Sequence, residues 1–241
     1  MNEAAYMRLD GFCPACNQET TFVAENAWFR DTLRCQHCDS LPRERAVMLV
    51  LRDYSSDWQE LRIHESSPAD RGGSRIMKEN CKNYVASHYL PGEKWGSKKG
   101  GLRVENLESQ TFRNEEFDVV ITQDVFEHLN RPNLAAAEIA RTLKPGGVHI
   151  FSAPTHKEEL HSHRRSVVFE DGSVDFLTYP PEYHGNPTDP AGGSLVTWRY
   201  GYDFYELLKA WSGCDIEVRR YHDHRYGIIG EFTEIYIMKK R

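Results

Sequence analysis

Four of the six cysteines in this 241-residue chain stand in two pairs near its start. Cys13 and Cys16 form one CxxC turn, Cys35 and Cys38 form a second, and 18 residues separate the two turns. Each turn places two thiolates on one side of a tight knuckle, so that two knuckles together complete a tetrahedron. The spacing predicts a zinc ribbon with a structural Zn²⁺, because four thiolates leave the metal no open position.

Two disulfides are the competing interpretation of the same cysteines. The residues before Cys13 lack the apolar stretch of a secretory signal, and thiols stay reduced in the cytosol. No window of the chain approaches the roughly 20 apolar residues of a membrane span. We therefore expect a cytoplasmic protein with no membrane segment and favour the metal over the disulfides.

A second group of reactive side chains lies between residues 155 and 200. Histidine suits general-base catalysis because its unperturbed pKa lies near neutrality. The spacing of the first three histidines fits no helical pair of metal ligands, so we assign no metal there. An oxygen or nitrogen nucleophile would take its base from the pool His156, His161, His163, Tyr183 and His184.

A strand, a helix and a second strand follow one another between residues 117 and 154. The β-branched run at 117–122 is typical of a strand buried on both faces. Asn130 and Pro132 predict the helix start, and the Lys-Pro-Gly-Gly sequence at 144–147 predicts its end. Two strands joined by so short a helix are parallel and connected by a right-handed crossover.

The order of residues in this unit resembles the fourth and fifth strands of class I S-adenosylmethionine-dependent methyltransferases of the type 11-like kind. The resemblance implies an α/β fold: a Rossmann-like doubly wound sheet of seven strands, the last antiparallel, with ligands bound beyond the carboxyl ends of the parallel strands. The matching positions are Phe117, Asp118, Val120, Val125, Glu127, His128, Glu138, Arg141, Leu143, Lys144, Pro145, Gly146 and Gly147.

The resemblance also implies an S-adenosylmethionine site at the ends of strands one to four. The family places glycines where Ser67 and Ala69 stand, and an acid for the ribose where this chain has Ser87 and His88. Small residues still allow a close backbone approach. The predicted cofactor contacts are Glu65, Ser66, Ser67, Ala69, Gly72, Ser87, His88, Asn106, Gln123, Asp124 and His128.

His128 has two open roles, since it either contacts cofactor or substrate or orders the loop around it. It joins His156, His161, Tyr183 and His184 as the candidate catalytic residues. The insertion at residues 155–200 replaces a short link of the family. Such insertions usually form a substrate lid, and a dimerising arm is the alternative that gives a homodimer.

The chain divides into a ribbon at 1–42, a linking helix at 43–60 and a methyltransferase domain at 61–241. We expect ribbon strands at 20–23 and 26–29, and a linking helix capped by Asp39 or Ser40. Arg43 and Arg45 on the first turn of that helix either reach a substrate or face water, and we expect them to face water. The insertion should contain a hairpin at 167–177 with an Asp-Gly turn.

A net charge of −6 argues against a broad nucleic-acid surface, because such binding rests on Lys and Arg neutralising phosphates. The aromatic and His-rich insertion at 155–200 favours O- or N-methylation of a small polar metabolite or a sugar-like acceptor. Three alternatives remain open. The ribbon could dock RNA for methylation, it could hold a protein partner or a second subunit, or the chain could be a noncatalytic binding module on a decayed methyltransferase fold.

Overall fold

The structure is a computed structural model that describes residues 5–169, 171–186 and 191–241. Glu170 in the predicted hairpin and Pro187 in the insertion lie outside the described residues. Within the described ranges, none of the helices combines the length and the apolar character needed to cross a lipid bilayer.

The N-terminal unit is a small antiparallel sheet of three strands. Its elements are β1 (Met7–Cys13), β2 (Gln18–Ala24), the one-turn helix α1 (Phe29–Thr32) and β3 (Arg34–Cys35), with sheet order β1-β2-β3. The strand predicted at 26–29 is wrong, because the Asn26 side chain accepts the Trp28 backbone N–H at 2.9 Å and turns the chain there.

Helix α2 (Pro42–Tyr54) follows the second knuckle and confirms the predicted linking helix. The predicted caps are wrong: the N-cap position is Leu41, whose N–H donates to the Glu44 carboxylate at 3.1 Å. The Ser40 hydroxyl instead lies 3.2 Å from the sulfur of Cys38. Proline at the first helical position suits this start, since its missing N–H would be unpaired there.

The main sheet confirms the predicted doubly wound fold. Five central strands are parallel, β17 runs antiparallel to both of its neighbours, and a two-residue strand adds an eighth member at one edge. In spatial order the strands are β16 (Asp215–Arg220), β17 (Glu234–Lys239), β9 (Leu143–Ser152), β8 (Phe117–Gln123), β4 (Arg62–Ser66), β5 (Asn83–His88), β7 (Leu102–Val104) and β6 (Lys98–Lys99).

Helices cover the sheet on both faces. They are α3 (Gly72–Asn80), α4 (Pro132–Thr142) and α5 (Phe204–Ser212), with short 3-10 turns at Trp58–Glu60 and Phe126–His128. The ribbon, α2 and one face of the sheet share a single core, in which Phe22 and Met48 belong with Ile121 and Ile150. The ribbon is therefore packed onto the sheet as part of its core.

The insertion forms three short two-stranded ladders over the carboxyl edge of the sheet. They pair β10 (His163–Arg164) with β15 (Trp198–Arg199), β11 (Ser166–Val168) with β12 (Val174–Phe176), and β13 (Tyr183–His184) with β14 (Ser194–Leu195). The second ladder confirms the predicted hairpin, and Gly172 has the positive φ of 84° that its turn requires. Thr197 N–H donates to the Glu127 carbonyl at 2.7 Å, which attaches the insertion to the 3-10 turn after β8.

Candidate active site and zinc site

The four paired cysteines meet at the end of the ribbon. Cys13 Sγ and Cys38 Sγ lie 3.7 Å apart, and Cys16 Sγ and Cys35 Sγ lie 3.9 Å apart. Zn–S bonds of about 2.3 Å in a tetrahedron separate the sulfurs by about 3.8 Å. All four sulfurs fall within 4.8 Å of one another, so the geometry fits a tetrathiolate zinc site.

Two arginines of α2 place positive charge beside the four cysteines, which a tetrathiolate Zn²⁺ site would require. Four thiolates outnumber the charge of one Zn²⁺, and a buried excess of charge is costly unless it is compensated. Arg45 is fully buried and donates to the carbonyls of Leu33 at 3.0 Å and Gly227 at 2.6 Å. Arg52 donates to the first knuckle at the Pro14 carbonyl, 2.8 Å away. The prediction that Arg45 faces water is wrong, because the ribbon closes over it.

A cleft of about 1500 Å³ opens at the carboxyl ends of β4, β5, β7 and β8. Most of the predicted cofactor contacts line it, whereas Glu65, Gly72 and Ser87 do not. The lining members of that set are Ser66, Ser67, Ala69, His88, Asn106, Gln123, Asp124 and His128.

The turn after β4 is tight without the glycines of the family. Ser67 adopts φ 56° and donates its N–H to the Ser87 carbonyl at 2.7 Å. Glu65 lies beneath this turn, where its carboxylate accepts bonds from Ser74 at 2.6 Å and Tyr84 at 2.7 Å. Burial raises the pKa of Glu65 to about 7. Glu65 therefore acts as a support under the loop.

The end of β5 presents His88 to the cleft. The Ser87 side chain points into the sheet, where its hydroxyl lies 2.8 Å from His64 Nε2. Burial lowers the pKa of His88, so its imidazole is neutral at pH 7 and can donate and accept hydrogen bonds. Near the end of β7, Asn106 Oδ1 accepts the Glu108 N–H at 2.9 Å, which fixes its side chain.

The ribbon forms one wall of the cleft through a buried ion cluster. Arg30 and Arg43 contact the same Asp124 oxygen at 2.6 and 2.7 Å, and the Ser152 hydroxyl donates to its other oxygen at 2.9 Å. Burial by itself raises the pKa of Asp124, but the two guanidinium groups outweigh it and hold that pKa below its ordinary value. The prediction that Arg43 faces water is wrong. Sequence reasoning missed Arg30 because its partner lies 94 residues away.

The loop after β4 rests directly on the second zinc knuckle. Gly72 N–H donates to the Cys38 carbonyl at 2.9 Å, and Arg71 pairs with Glu44 at 3.0 Å. A side chain at Gly72 would meet the Glu44 carboxylate, and its φ of 52° favours glycine. The knuckle, the loop and the cleft therefore form one continuous structure.

The opposite wall brings two of the predicted catalytic histidines together. His128 Nε2 lies 3.8 Å and His184 Nδ1 lies 3.7 Å from Glu127 Oε1. That carboxylate raises the pKa of His184, against the opposing effect of burial. Sequence reasoning included Glu127 in a motif but gave it no role of its own. Its position next to His128, shortly after the strand β8, could have indicated that it lies in the site.

The other candidates are divided between the cleft and the surface. His156 lines the cleft, and burial together with the Arg199 charge lowers its pKa, so it is a neutral base at pH 7. His161 is 85% exposed beside Asp203, and Tyr183 is 53% exposed. Those two residues and His163 are absent from the cleft lining.

Comparison with known proteins agrees with this geometry. Residues 74–151, from α3 to the end of β9, match the family described as a methyltransferase domain. No protein of curated function matches the chain in sequence. Residues 74–151 are therefore similar to a methyltransferase domain, and the solved structures described next share the fold of the chain.

Solved structures with a similar fold share little sequence with the chain. An S-adenosylmethionine-dependent methyltransferase from Mesorhizobium loti is 14% identical, with a TM-score of 0.51 over 81% of this chain and 98% of its own. An amino pentose methyltransferase of calicheamicin biosynthesis from Micromonospora echinaspora, with bound S-adenosylmethionine, is 13% identical, with a TM-score of 0.51 over 84% and 92%. At these identities the likeness shows the fold.

Proposed function

We propose that the chain transfers a methyl group from S-adenosylmethionine to an oxygen or nitrogen of a small polar metabolite or sugar-like acceptor. The observation that carries this proposal is the shape of the cleft. Its floor is the carboxyl edge of the parallel strands, where such sheets bind ligands. The ribbon and the insertion close it on two sides, which leaves room for a small acceptor beside the cofactor.

The chain's own residues fit the cofactor in the following way. The turn at Ser67 brings backbone close to the cleft, and Gln123 Oε1 is buried there with no partner among the described residues. His88 would bond the ribose hydroxyls in place of the acid of the family, and Asn106 would face the adenine. S-adenosylmethionine supplies an electrophilic methyl group, so these residues need to bind and orient it and exclude water.

The polar character of the acceptor side supports a small polar substrate. The insertion contributes Glu182, His184 and Arg199 to the cleft, together with the indole of Trp198. Carboxylates on this wall and a net charge of −6 oppose phosphate-rich nucleic acid. A neutral His156 provides a base for a hydroxyl or ammonium acceptor.

The first test is calorimetric titration of S-adenosylmethionine and S-adenosylhomocysteine into the zinc-loaded protein. Micromolar binding, followed by transfer of labelled methyl groups to a panel of small acceptors, is the expected result. Absence of binding at millimolar ligand in the presence of candidate acceptors would overturn the proposal and favour a noncatalytic module. Salt-dependent retention on RNA would indicate the nucleic-acid alternative.

Two neighbouring residues of β5 sharpen this test. His88→Ala should weaken S-adenosylhomocysteine binding about tenfold, the cost of a lost hydrogen bond. Ser87→Ala should leave that affinity unchanged and lower the free energy of unfolding by about 1 kcal/mol, because it removes the buried bond to His64. Equal loss of affinity in both variants would contradict the assignment of His88.

The proposed location is the cytoplasm, which keeps the four ribbon cysteines reduced. We also propose a homodimer through the insertion. Leu160, Phe169 and Tyr179 there are 71%, 51% and 74% exposed, and they are apolar side chains of the kind that a second subunit covers. Analytical ultracentrifugation should detect the dimer, and a monomer at high micromolar concentration would contradict it.

A further inference from the structure

Three potential metal ligands converge on one point of the cleft wall opposite the ribbon, which we call the acceptor wall. They are Glu127 and His128 in the 3-10 turn after β8, and His184 at the end of β13. Their ligand atoms all lie within 4.8 Å of one another. The ladder between β13 and β14 positions this group from the insertion side, because it carries both His184 and Leu195.

The hydrogen bonds of the two histidines define which nitrogen faces Glu127. His128 Nδ1 lies 2.9 Å from the Leu195 carbonyl, and a carbonyl only accepts, so Nδ1 carries the proton. His184 Nε2 lies 3.2 Å from the Glu182 carboxylate and is likewise the donor. In the neutral histidines the other nitrogens, His128 Nε2 and His184 Nδ1, therefore direct lone pairs toward the Glu127 carboxylate.

The Glu127 carboxylate itself lacks a partner. Its side chain is 2% exposed, and neither of its oxygens accepts a hydrogen bond from any described residue. Of the cationic side chains in residues 5–169, 171–186 and 191–241, only the two histidines come within ion-pair distance. A buried carboxylate without a hydrogen bond, facing two imidazole nitrogens, is strongly unfavourable unless a proton on a histidine or a metal ion supplies positive charge between them.

We propose that Glu127, His128 and His184 bind one divalent first-row transition-metal ion in the acceptor half of the cleft. Metal–ligand bonds of about 2.1 Å in a tetrahedron place ligand atoms about 3.4 Å apart. The observed 3.7 and 3.8 Å separations reach that value with shifts of a few tenths of an ångström. Two imidazoles and one carboxylate suit a first-row transition ion better than Mg²⁺ or Ca²⁺.

The groups behind the ligands have the arrangement that metal-binding histidines show. Such histidines almost always donate their second N–H to a carboxylate or a backbone carbonyl, which fixes the tautomer and the ring orientation. Here Leu195 does this for His128 and Glu182 does it for His184. The tetrathiolate site of the ribbon is separate, since its ligands are the four cysteines alone.

A metal at this site would also indicate which chemical class of acceptor binds. This inference rests on the proposed function. Three protein ligands leave open positions for an acceptor with two neighbouring oxygens. A hydroxyl held there would become more acidic and would give its proton to a base of the cleft, such as neutral His156. The oxygen lone pair would form the O–C bond to the methyl group of S-adenosylmethionine. The C–S bond would break, and its electron pair would remain on sulfur as S-adenosylhomocysteine leaves.

The test uses the full chain with one zinc already bound, titrated with Co²⁺ by calorimetry and visible spectroscopy. We expect one further equivalent, with weak visible bands and without the intense thiolate-to-cobalt absorption that exchange at the ribbon would produce. Acetohydroxamate, a probe with two neighbouring oxygens, should then shift those bands. An unshifted spectrum would show that the metal has no open coordination positions, and it would overturn the inferred acceptor class.

Variants separate a metal site from an ion pair between charged histidines and Glu127. Glu127→Gln and His184→Ala should weaken Co²⁺ binding at least 100-fold, and Glu182→Gln about 10- to 100-fold. His161→Gln removes a histidine that also faces a carboxylate but lies on the surface, and should change nothing. Zinc content and circular dichroism establish that each variant is folded.

Two results would overturn the metal site. One is wild-type protein that binds no second equivalent of Co²⁺ or Zn²⁺. The other is unchanged Co²⁺ affinity in folded His184→Ala protein. S-adenosylmethionine titration of the same samples distinguishes the two proposals. Metal binding without cofactor binding would contradict only the proposed function. Cofactor binding without metal binding would contradict only the metal site.

Discussion

Replacing Asp124 with asparagine tests whether the ribbon is fastened to the cleft by charge. The side chains of Arg30, Arg43 and Asp124 are 9%, 15% and 15% exposed, so water screens their charges little. Asp124→Asn keeps the shape and removes the anion. Arg43 retains Asp31 at 2.9 Å, whereas Arg30 keeps a long 3.5 Å contact to the Phe232 carbonyl and the face of the Phe232 ring, 5.2 Å from its centroid.

The magnitude follows from that difference between the two arginines. Removing one partner of a buried ion pair costs about 3–5 kcal/mol, chiefly because a buried charge is left uncompensated. Of the two arginines, Arg30 alone is left without a carboxylate, so we expect a loss at the low end of that range, about 3 kcal/mol in the free energy of unfolding. Urea unfolding of the zinc-loaded protein at pH 7 measures it.

The matched control is Asp39→Asn on the ribbon surface. Arg34 and Asp39 are nearly as close, at 2.9 Å, but their side chains are 37% and 49% exposed. Exposed pairs contribute less than about 1 kcal/mol, and asparagine tolerates the positive φ of 61° at this position. If Asp124→Asn costs no more than this control, the buried cluster does not hold the ribbon and the reasoning fails.

Three further changes follow from the same structure. Cys16→Ser should release zinc and weaken S-adenosylhomocysteine binding measured by calorimetry, because the ribbon forms a wall of the cleft; unchanged affinity would contradict that coupling. Burial raises the pKa of Glu65 to about 7, above its ordinary 4.5. The neutral carboxyl group therefore contributes its full stabilisation below pH 4.5. About 3 kcal/mol of the free energy of unfolding is lost as the pH rises from there through 7. Glu65→Gln should flatten that slope in unfolding measurements at pH 5 and 8, and an unchanged slope would refute the assignment. Gly72→Ala should cost about 1–3 kcal/mol more than Gly100→Ala, since both have positive φ but only the first new methyl meets the Glu44 side chain.

The sequence predicted those parts of the fold that depend on patterns among neighbouring residues. The β-branched run of β8, the proline at the start of α4 and the Lys-Pro-Gly-Gly sequence after it specify strand, helix and strand among neighbours in the chain. The paired cysteines specify their cluster in the same way, because each CxxC turn is a local unit. These predictions needed no knowledge of tertiary contacts.

The wrong predictions concern side chains whose partners come from distant segments. An arginine on the first turn of a helix, such as Arg43, is ordinarily solvated, and only docking of the ribbon supplies Asp124. Ser87 and His88 were both predicted as cofactor contacts; successive side chains of a strand alternate between faces, and of these two His88 is the one that lines the cleft. Applying that alternation to β5 would have separated the two from sequence alone.

His184 illustrates why the acceptor wall was beyond sequence reasoning. It lies on a two-residue strand in an insertion with no periodic pattern, and its neighbour Glu127 belongs to a different segment. The sequence placed His184 in a pool of bases with His161, because composition cannot tell a residue over the cleft from one on the surface. The distinction comes from the ladder that brings β13 above the turn after β8.

The matched family segment, residues 74–151, supplies β5, β7, β8 and the turn after β8 but neither the ribbon nor the insertion, which close the cleft on its two sides. One wall is the ribbon, held through Arg30 and Arg43 on Asp124. The other is the insertion, held where the Thr197 N–H meets the Glu127 carbonyl. Both attachments fall on the few residues after β8, where the methyl group would be transferred. A change in either wall therefore acts directly on the reacting site, so selectivity for the acceptor should follow the ribbon and the insertion and should be insensitive to the sheet that carries them.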